Sequence, residues 1–229
     1  MLRRLVCDRG AGARGRAFES IDPAMAKGSS GTAAENGGGG ERREAILTAA
    51  ARVIARSGVR GLRVEEVASE AGVSPPLLYY HFASRQGLIR AALERASDKA
   101  PSAALRADSG AMSGYEAVEA ALLAELDEAR AVRDNAIVWG EVSATAVFEA
   151  ELREDVKRVT EGWSATVADA ISRGMEDGSI RAGIDPKQAA EVLITLVDGL
   201  CNRWLAGAME RERARELLVA ALRDTLAAG

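Results

Sequence analysis

The sequence predicts an all-α protein, and three observations support this fold class. Of 229 residues, 48% are hydrophobic, only 4% are aromatic and only five are prolines. Ala, Leu, Val and Arg dominate, a composition that favours helix over sheet. Apolar residues recur at helical spacing, and we find no convincing strand and no repeat. Finally, several glycines and prolines stand where helices end and begin.

Residues 1–40 are predicted to be a disordered N-terminal tail. They are rich in Gly, Ser and Arg, show no apolar periodicity and close on four glycines. Such a segment cannot bury enough apolar surface to offset the entropy of ordering the chain. Met25 opens a stretch typical of a natural start, so we expect residues 1–24 to be an over-extended beginning. The alternative is a basic arm that seeks an anionic partner, DNA above all.

The chain from Glu41 to about Lys99 predicts four helices. The first carries apolar residues on one face and stops at Gly58, and Ala71-Gly72 makes a tight turn after the second. Ser74 and Ser84 are the expected N-caps of the third and fourth helices. The predicted helices are Glu41 to Gly58, about Val64–Glu70, about Pro75–Phe82 and Arg85 to about Lys99.

Residues 100–229 predict five further helices with short breaks between them. Asp134 and Asp185 are the expected N-caps of two of them, and Asp185 precedes a proline, which suits a first helical position. The predicted helices are Tyr115–Ala131, Asn135–Val147, Glu149–Asp177, Pro186 to about Ala206 and Glu210–Ala227. The chain thus divides into a tail (1–40), a first helical domain (41–99) and a second (100–229).

Charge and composition narrow the classes of function. The net charge of −4 argues against a nucleic-acid binder, but its distribution is uneven. Residues 41–99 hold ten basic and seven acidic groups, whereas residues 100–229 hold fourteen basic and twenty-three acidic groups. A basic N-terminal part and an acidic C-terminal part fit a protein with one anionic partner, although ordinary solvated surfaces explain the charge asymmetry about as well.

Several classes of site and location are disfavoured. His81 is the sole histidine, which excludes a zinc site or a histidine-based triad, and no cofactor motif is found. Cys7 and Cys201 lie far apart without CxxC spacing, so we expect a reducing cytoplasmic setting. No apolar run approaches the roughly 18 residues of a membrane span, and residues 1–16 do not resemble a signal peptide.

The stretch from about residue 64 to 83 is the most informative, because two short helices around Gly72 predict a helix-turn-helix. Leu78 and Phe82 share the buried face of its second helix. The opposite face carries Leu77 and Tyr80, which need a partner, and base-pair edges provide one. The prolines and Leu77 can touch thymine methyls, tyrosine hydroxyls can reach phosphates or base acceptors, and Arg85 lies where a phosphate contact helps.

The segment AILTAAARVIARSGVRGLRVEEVASEAGVSPPLLYYHFASRQGLI resembles the DNA-binding domain of the TetR (tetracycline-repressor-like) family. Shared elements include Gly58, the Ala71-Gly72-Val73-Ser74 turn, His81-Phe82 and Ser84-Arg85. The resemblance places Pro75, Pro76, Leu77 and Tyr80 at base-reading positions, and Tyr79, His81 and Arg85 at phosphate-contacting ones. Ser74 joins this surface as the predicted N-cap.

Two departures from the family pattern matter. Arg63 stands where relatives usually carry Ser or Thr before the second helix. The arginine cannot supply the N-cap hydrogen bond of that helix, but it could add a phosphate contact. The Pro75-Pro76-Leu77 tip has no polar side chain, so methyl contacts and DNA shape are expected to carry much of the specificity.

In the family, the last two helices pair with those of a second chain, which implies a homodimer here. The apolar residues of helix 186–206 cover most of its circumference, so it is expected to be buried on more than one side. The alternative is a central helix within a monomer. The expected interface residues are Leu193, Leu196, Val197, Leu200, Trp204, Leu217, Leu218 and Leu222.

The segment DGSIRAGIDPKQAAEVLITLVDGL is similar to a branch of the family that includes BetI-like regulators. The second domain is also expected to hold a small-molecule cavity between its helices. Large side chains spread over these helices are the candidate lining, although side chains of this kind belong to the ordinary core more often than to a pocket. They are Met112, Tyr115, Trp139, Phe148, Trp163 and Met175.

The resemblance therefore implies an operator-binding regulator, a repressor that a small molecule releases from DNA. A ligand-independent architectural DNA-binding protein and an activator are the alternatives. An enzyme is disfavoured because no nucleophile elbow, phosphate loop or metal spacing is present.

Overall fold

The computed structural model describes residues 34–98, residue 105 and residues 112–227, and these residues are helical with short connections. Within this part of the chain the only β-pairing is one isolated antiparallel bridge between Ile180 and Ala227. The helices are α1 (Ala34–Gly61), α2 (Val64–Ala71), α3 (Pro75–Phe82), α4 (Arg85–Asp98), α5 (Gly114–Ala124), α6 (Arg130–Ala146), α7 (Ala150–Glu176), α8 (Pro186–Leu205) and α9 (Arg211–Leu226).

A first hydrophobic core joins the four N-terminal helices to part of the second domain. Ile46, Ile54, Leu78 and Leu88 are fully buried in it. The same core takes in residues 138–152, since α1 and α4 pack against α6 and the start of α7. The predicted domain boundary at residue 99 lies outside the described residues, and the two parts share apolar contacts rather than standing apart.

A second core is formed by α5, the C-terminal half of α7, α8 and α9. Its fully buried side chains include Leu122, Ile171, Leu193 and Leu218. Burying such side chains contributes about 1.5–3 kcal/mol each, so this four-helix cluster fixes how α8 and α9 lie on α7. The Asp185 side chain caps α8 by accepting from the backbone N–H groups of Lys187 and Gln188, as predicted.

The turn between α2 and α3 has the predicted geometry. Gly72 adopts a left-handed conformation (φ 67°) as the C-cap of α2, and α3 begins at Pro75 as its first residue. Ser74 holds the N-cap position, but its side chain makes no capping hydrogen bond. The Ser84 hydroxyl does accept one, from the Gly87 N–H at 3.0 Å, so the predicted cap of α4 is confirmed.

The first helix differs from the prediction at its beginning. It starts at Ala34 rather than Glu41, while the rest of the predicted tail, residues 1–33, lies outside the described residues. A helix already nucleated by its buried face around residues 46–54 gains one hydrogen bond for each residue added. Each glycine costs about 1 kcal/mol relative to Ala, which is more than this gain, so nothing in the described contacts explains the extension through Gly37–Gly40.

The connection between α5 and α6 also differs. The helix predicted to run to Ala131 ends at Ala124, because the Asp127 carboxylate accepts from the Ala129 N–H (2.7 Å) and closes a local turn. The next helix begins at Arg130, so the expected cap at Asp134 is wrong. Asp134 instead lies one turn inside α6 and pairs with Arg130 at 3.7 Å.

The N-terminus of α5 is fixed to the end of α7. Ser113 and Glu116 form a capping box, and the Gly114 N–H donates to the Asp177 carboxylate at 2.8 Å. A Cβ on Gly114 would lie 2.4 Å from the Gly174 Cα, so the two backbones touch here.

We expect Gly114→Ala to destabilise the protein by about 2–3 kcal/mol, because the clash is with backbone that cannot rotate away. For a chain of this size, that corresponds to a fall in Tm on the order of 5–10 °C in a thermal melt. Gly162→Ala is the matched control: its Cβ would meet nothing within 4 Å, so helix propensity alone predicts unchanged or higher stability. An unchanged Tm for Gly114→Ala would contradict the close approach.

None of the helices in the described ranges is both long enough and apolar enough to cross a membrane.

Candidate functional site

The outer face of α3 is an exposed surface of aromatic and apolar side chains. Tyr80 is 83% exposed and Tyr79 44%, whereas Leu78 and Phe82 are buried in the first core, where α3 packs on α2 and α4. Leu77 is half-buried between the two faces. The remaining N-terminal positions of the predicted DNA surface are also exposed: Arg63, Ser74, Pro75 and Pro76.

His81 packs between its neighbours at the end of α3. Its ring lies edge-on to Tyr80, with ring centroids 5.4 Å apart, and 6.1 Å from the Phe82 ring. His81 is half-buried at the margin of the exposed face.

Arg85 makes contacts that the sequence did not predict. Its guanidinium donates to the backbone carbonyls of Leu62 (3.0 Å) and Val59, near the end of α1. These hydrogen bonds fix the start of α4 to the segment after α1. They use Nε and one terminal nitrogen of the five-donor guanidinium, so the phosphate contact of Arg85 stays a prediction.

A basic residue that the motif analysis did not single out lies beside α3. The Arg43 guanidinium sits over the Phe82 ring, 5.4 Å from its centroid, and the side chain is exposed. The signal in the sequence is the Arg42-Arg43 pair at the start of the first apolar face. Arg43 thus brings a positive charge to the edge of the exposed α3 surface.

A cavity of about 740 Å³ lies among α4, α6, α7 and α8. Its described walls combine apolar side chains such as Val159, Ile194 and Val197 with two of the predicted lining residues, Trp139 and Trp163. The volume falls in the range typical of sites for small organic ligands.

The other four predicted lining residues lie outside the cavity, which corrects the expectation from the sequence. Met112 is half exposed before α5, and Phe148 is exposed beside the Arg60 guanidinium (5.9 Å). Tyr115 and Met175 pack on the second core. They fill the junction of α5 with the end of α7, away from the space between α6 and α8.

Two carboxyl groups face into the cavity, and their environment favours the neutral form. Burial raises the pKa of Glu125 to about 7, with a further contribution from the nearby Asp198. Burial likewise raises the pKa of Asp198 to about 6, although a hydrogen bond from Trp139 acts in the opposite direction. Removal from water disfavours a carboxylate unless a positive charge accompanies it.

No positive charge lines the cavity among the described residues. Its third acid is Glu141, and the thiol of Cys201 donates to the Glu125 carbonyl at 3.4 Å. Burial raises the pKa of Cys201 to about 12, so this thiol stays neutral. The site therefore offers two tryptophan side chains and two acids, Glu125 and Asp198, with no basic residue among the described lining, a combination suited to a cation.

Sequence reasoning missed both acids. Asp198 had a detectable signal, since it is the single charged residue of the segment Val192–Leu200 on a helix buried on several sides. Glu125 had none, because it follows the end of α5 and reaches the cavity only through the fold.

The predicted dimer residues separate into two groups. Five are buried inside the single chain and are unavailable to a partner: Leu193, Val197, Leu200, Leu218 and Leu222. Three remain partly exposed, namely Leu196, Leu217 and Trp204, the last of which lies under the Arg133 guanidinium at 5.7 Å. The outermost apolar side chain of α8 is Val192, which is 55% exposed and was not predicted.

Comparison with known proteins agrees with both halves of the structure. Residues 46–92 match the family model for bacterial regulatory proteins of the tetR family. Residues 114–227 match the model for the C-terminal part of BetI-type transcriptional repressors.

Individual relatives extend over most of the chain. A BetI regulator from Rhizobium meliloti (strain 1021) is 26% identical over 167 residues, which are 73% of this chain and 79% of the relative. A TetR-family regulator from Rhodococcus sp. is 40% identical, with a TM-score of 0.76, over 82% of this chain and all of the other.

A transcriptional regulator from Saccharomonospora viridis, solved in complex with choline, is 26% identical with a TM-score of 0.68. The match covers 83% of this chain and all of the other. With its helix-turn-helix and helical C-terminal half, this chain belongs to the TetR family of DNA-binding transcription regulators, which are not enzymes.

Proposed function

We propose that this protein is a homodimeric cytoplasmic repressor that leaves its operator when an organic cation enters the cavity. The observation that carries the proposal is the pairing of Glu125 and Asp198 with Trp139 and Trp163, with no basic residue among the described walls. A tryptophan face attracts a desolvated cation by about 2 kcal/mol or more. A nearby carboxylate adds a charge interaction that a neutral ligand cannot use.

The favoured ligand class is a quaternary ammonium compound or an amine with an apolar body. A cavity of about 740 Å³ has room for more than a small ammonium head group, and its apolar walls suit a hydrophobic extension. The choline bound to the Saccharomonospora viridis relative supports the same class. Choline is therefore the minimal probe rather than the expected best ligand.

A matched pair of small molecules tests the ligand class. Choline at about one hundred times its Kd is expected to stabilise the protein by about 2.7 kcal/mol. That corresponds to a rise in Tm on the order of 5–10 °C. Its uncharged isostere 3,3-dimethyl-1-butanol should leave Tm unchanged. Equal shifts with both compounds would reject recognition by charge.

For DNA, we propose that α3 enters the major groove and that its exposed tip reads base edges. The proposed base-reading residues are Pro75, Pro76, Leu77 and Tyr80. The proposed backbone contacts are Arg43, Arg63, Ser74, Tyr79, His81 and Arg85. The support is the exposure of Pro75, Pro76, Tyr79 and Tyr80, with Leu77 and His81 half-buried at the margins of this surface.

Tyr80→Ala is expected to relax sequence discrimination, because the side chain projects from the middle of the exposed face. The expected loss is about 1–3 kcal/mol for each base pair it contacts. Arg43→Ala should instead weaken binding to operator and random DNA alike and lower the salt slope by about one. The measurement is the ratio of the two Kd values, with the operator first selected from random duplexes. An unchanged ratio for Tyr80→Ala would reject its assignment.

We propose that the partner subunit docks on the outer stripe of α8, together with α9. Val192, Leu196, Gly199 and Arg203 recur at intervals of three to four residues on the solvent side of α8. The side chain of Leu217 is partly exposed on α9. This stripe replaces the five buried leucine and valine positions as the candidate interface.

A further inference from the structure

The segment that follows Gly58 is fixed by the second domain as well as by the DNA-binding half. Gly58 has φ +70°, and a Cβ there would lie 2.7 Å from the Glu141 Oε2. The absence of a side chain therefore lets the Glu141 carboxylate approach the backbone. From this position the carboxylate accepts the Val59 N–H at 3.0 Å.

The carbonyl group of Val59 faces the start of α4. It accepts from the Arg85 guanidinium, which also binds the Leu62 carbonyl at 3.0 Å. Arg85 is the first residue of α4 and is separated from the end of α3 by two residues. Val59 thus donates its N–H to Glu141 in the cavity wall and accepts a hydrogen bond at its carbonyl from Arg85 at the start of α4.

Glu141 also lines the cavity, one turn of α6 or less from Trp139 and Gly140. A ligand that displaces this part of α6 consequently acts on the Val59 amide directly. A second contact runs parallel to it, since the Gln86 amide donates to the Glu149 carboxylate at 3.3 Å. Of these two hydrogen bonds, only the one from Val59 involves a residue of the cavity wall, namely Glu141. Helix α4 also reaches the cavity directly, through Ala96 and Ser97 near its C-terminal end.

We propose that Glu141 is the positioning residue that couples cavity occupancy to the orientation of α3, through Val59 and Arg85. The proposal rests on the cavity being the effector site. When the ligand favours an α6 position in which Glu141 no longer holds Val59, Arg85 loses its fixed acceptor and the relation between α1 and α3 changes. Linkage requires only that the ligand binds this arrangement more tightly than the operator-competent one.

The test measures the factor by which saturating choline raises the operator Kd. In Glu141→Ala this factor should fall to less than about a third of the wild-type value, because the amide has lost its acceptor. Glu141→Gln keeps an acceptor oxygen and should retain the wild-type factor, as should Glu161→Ala, a control at an exposed glutamate of α7. The choline Kd of each DNA-free variant is measured first, and choline is kept saturating for that variant, so that a change in ligand affinity does not alter the factor.

Comparison of Glu141→Gln with Glu141→Ala distinguishes coupling through the Val59 amide from an effect of the Glu141 charge on the ligand. If Glu141 acted only as a cavity charge, Gln and Ala would behave alike, and that result would overturn the proposal. A wild-type factor in Glu141→Ala would overturn it too.

If choline leaves wild-type operator binding unchanged, that result counts against the proposed effector class alone. The coupling is then tested by operator binding without any ligand. Glu141→Ala and Arg85→Lys should each weaken operator binding. The double variant should be no more than about threefold weaker than the weaker single variant, because both act through Val59. Multiplying effects would show two independent roles and reject the coupling. Circular dichroism of each variant verifies that it is folded.

Discussion

Replacing Glu125 by Gln and Asp198 by Asn in the same chain should weaken choline binding by at least about 30-fold. Removing the charged partner of a desolvated cation typically costs 2–5 kcal/mol, and here both carboxylates are removed while the cavity keeps its shape. Titration calorimetry measures the Kd. The control pair, Glu161→Gln with Asp169→Asn, removes two acidic groups from exposed positions of α7 and should bind choline as the wild type does.

The same acids predict how choline binding depends on pH. With a pKa of about 7 for Glu125 and about 6 for Asp198, both groups are largely neutral near pH 5.5. The affinity for a permanently charged cation should therefore fall about tenfold or more from about pH 8 to about pH 5.5. Of the other titratable groups lining the cavity, Cys201 stays a neutral thiol and Glu141 holds the Val59 amide.

The stability of the ligand-free protein should follow the opposite trend. Both folded-state pKa values lie above the ordinary values, so the folded protein binds more protons than the unfolded chain between about pH 4 and pH 7. The contribution of these groups to stability is therefore largest at low pH and is lost as the pH rises through the folded pKa values. The double variant Glu125→Gln with Asp198→Asn should lose the pH dependence of choline binding and that of stability. Wild-type affinity and pH dependence in that variant would reject the acids as the cation site.

The sequence was sufficient to predict those features of the fold that depend on residues close to one another along the chain. The turn at Gly72, the proline start of α3 and the Asp185 cap of α8 each involve residues within a few positions of one another. Local chemistry of this kind can be read from one segment at a time. The helix-turn-helix and most helix boundaries were predicted for this reason.

The cavity depends on residues distant in sequence and was predicted poorly. Phe148 and Met175 are large side chains, as the expected lining required, yet one lies beside Arg60 and the other on the second core. Glu125 and Asp198 lie 73 positions apart and come together only when α5 and α8 pack. Periodicity reports which face of a helix is buried but not what covers that face.

The same ambiguity affected the dimer interface. Leu193 and Leu218 are apolar positions of α8 and α9, but the second core of their own chain buries them completely. A helix with apolar residues on most of its circumference has one side for its own domain and another for a partner. The sequence does not say which residues serve which side.

The double variant Val192→Lys with Leu196→Lys should be a folded monomer that has lost at least about 100-fold in operator affinity. Two charges on the outer stripe oppose docking of a second copy, whereas the fully buried side chains of the second core are unchanged. Leu196 also packs partly on that core, so circular dichroism must show that the variant is folded. A dimer gains affinity because binding of one half-site places the second recognition helix beside the other. The added positive charge would otherwise favour DNA, so a loss cannot come from electrostatic repulsion by phosphates.

Sedimentation gives the mass of each variant, and an operator fragment with a single half-site shows whether α3 itself still binds. Ala165→Lys adds a charge to an exposed position of α7 and should remain dimeric. Leu218→Asp should unfold instead, because its side chain is fully buried in the second core. If Val192→Lys with Leu196→Lys stayed dimeric, the partner would dock elsewhere. A folded, monomeric Leu218→Asp would return the interface to the positions first predicted from the sequence.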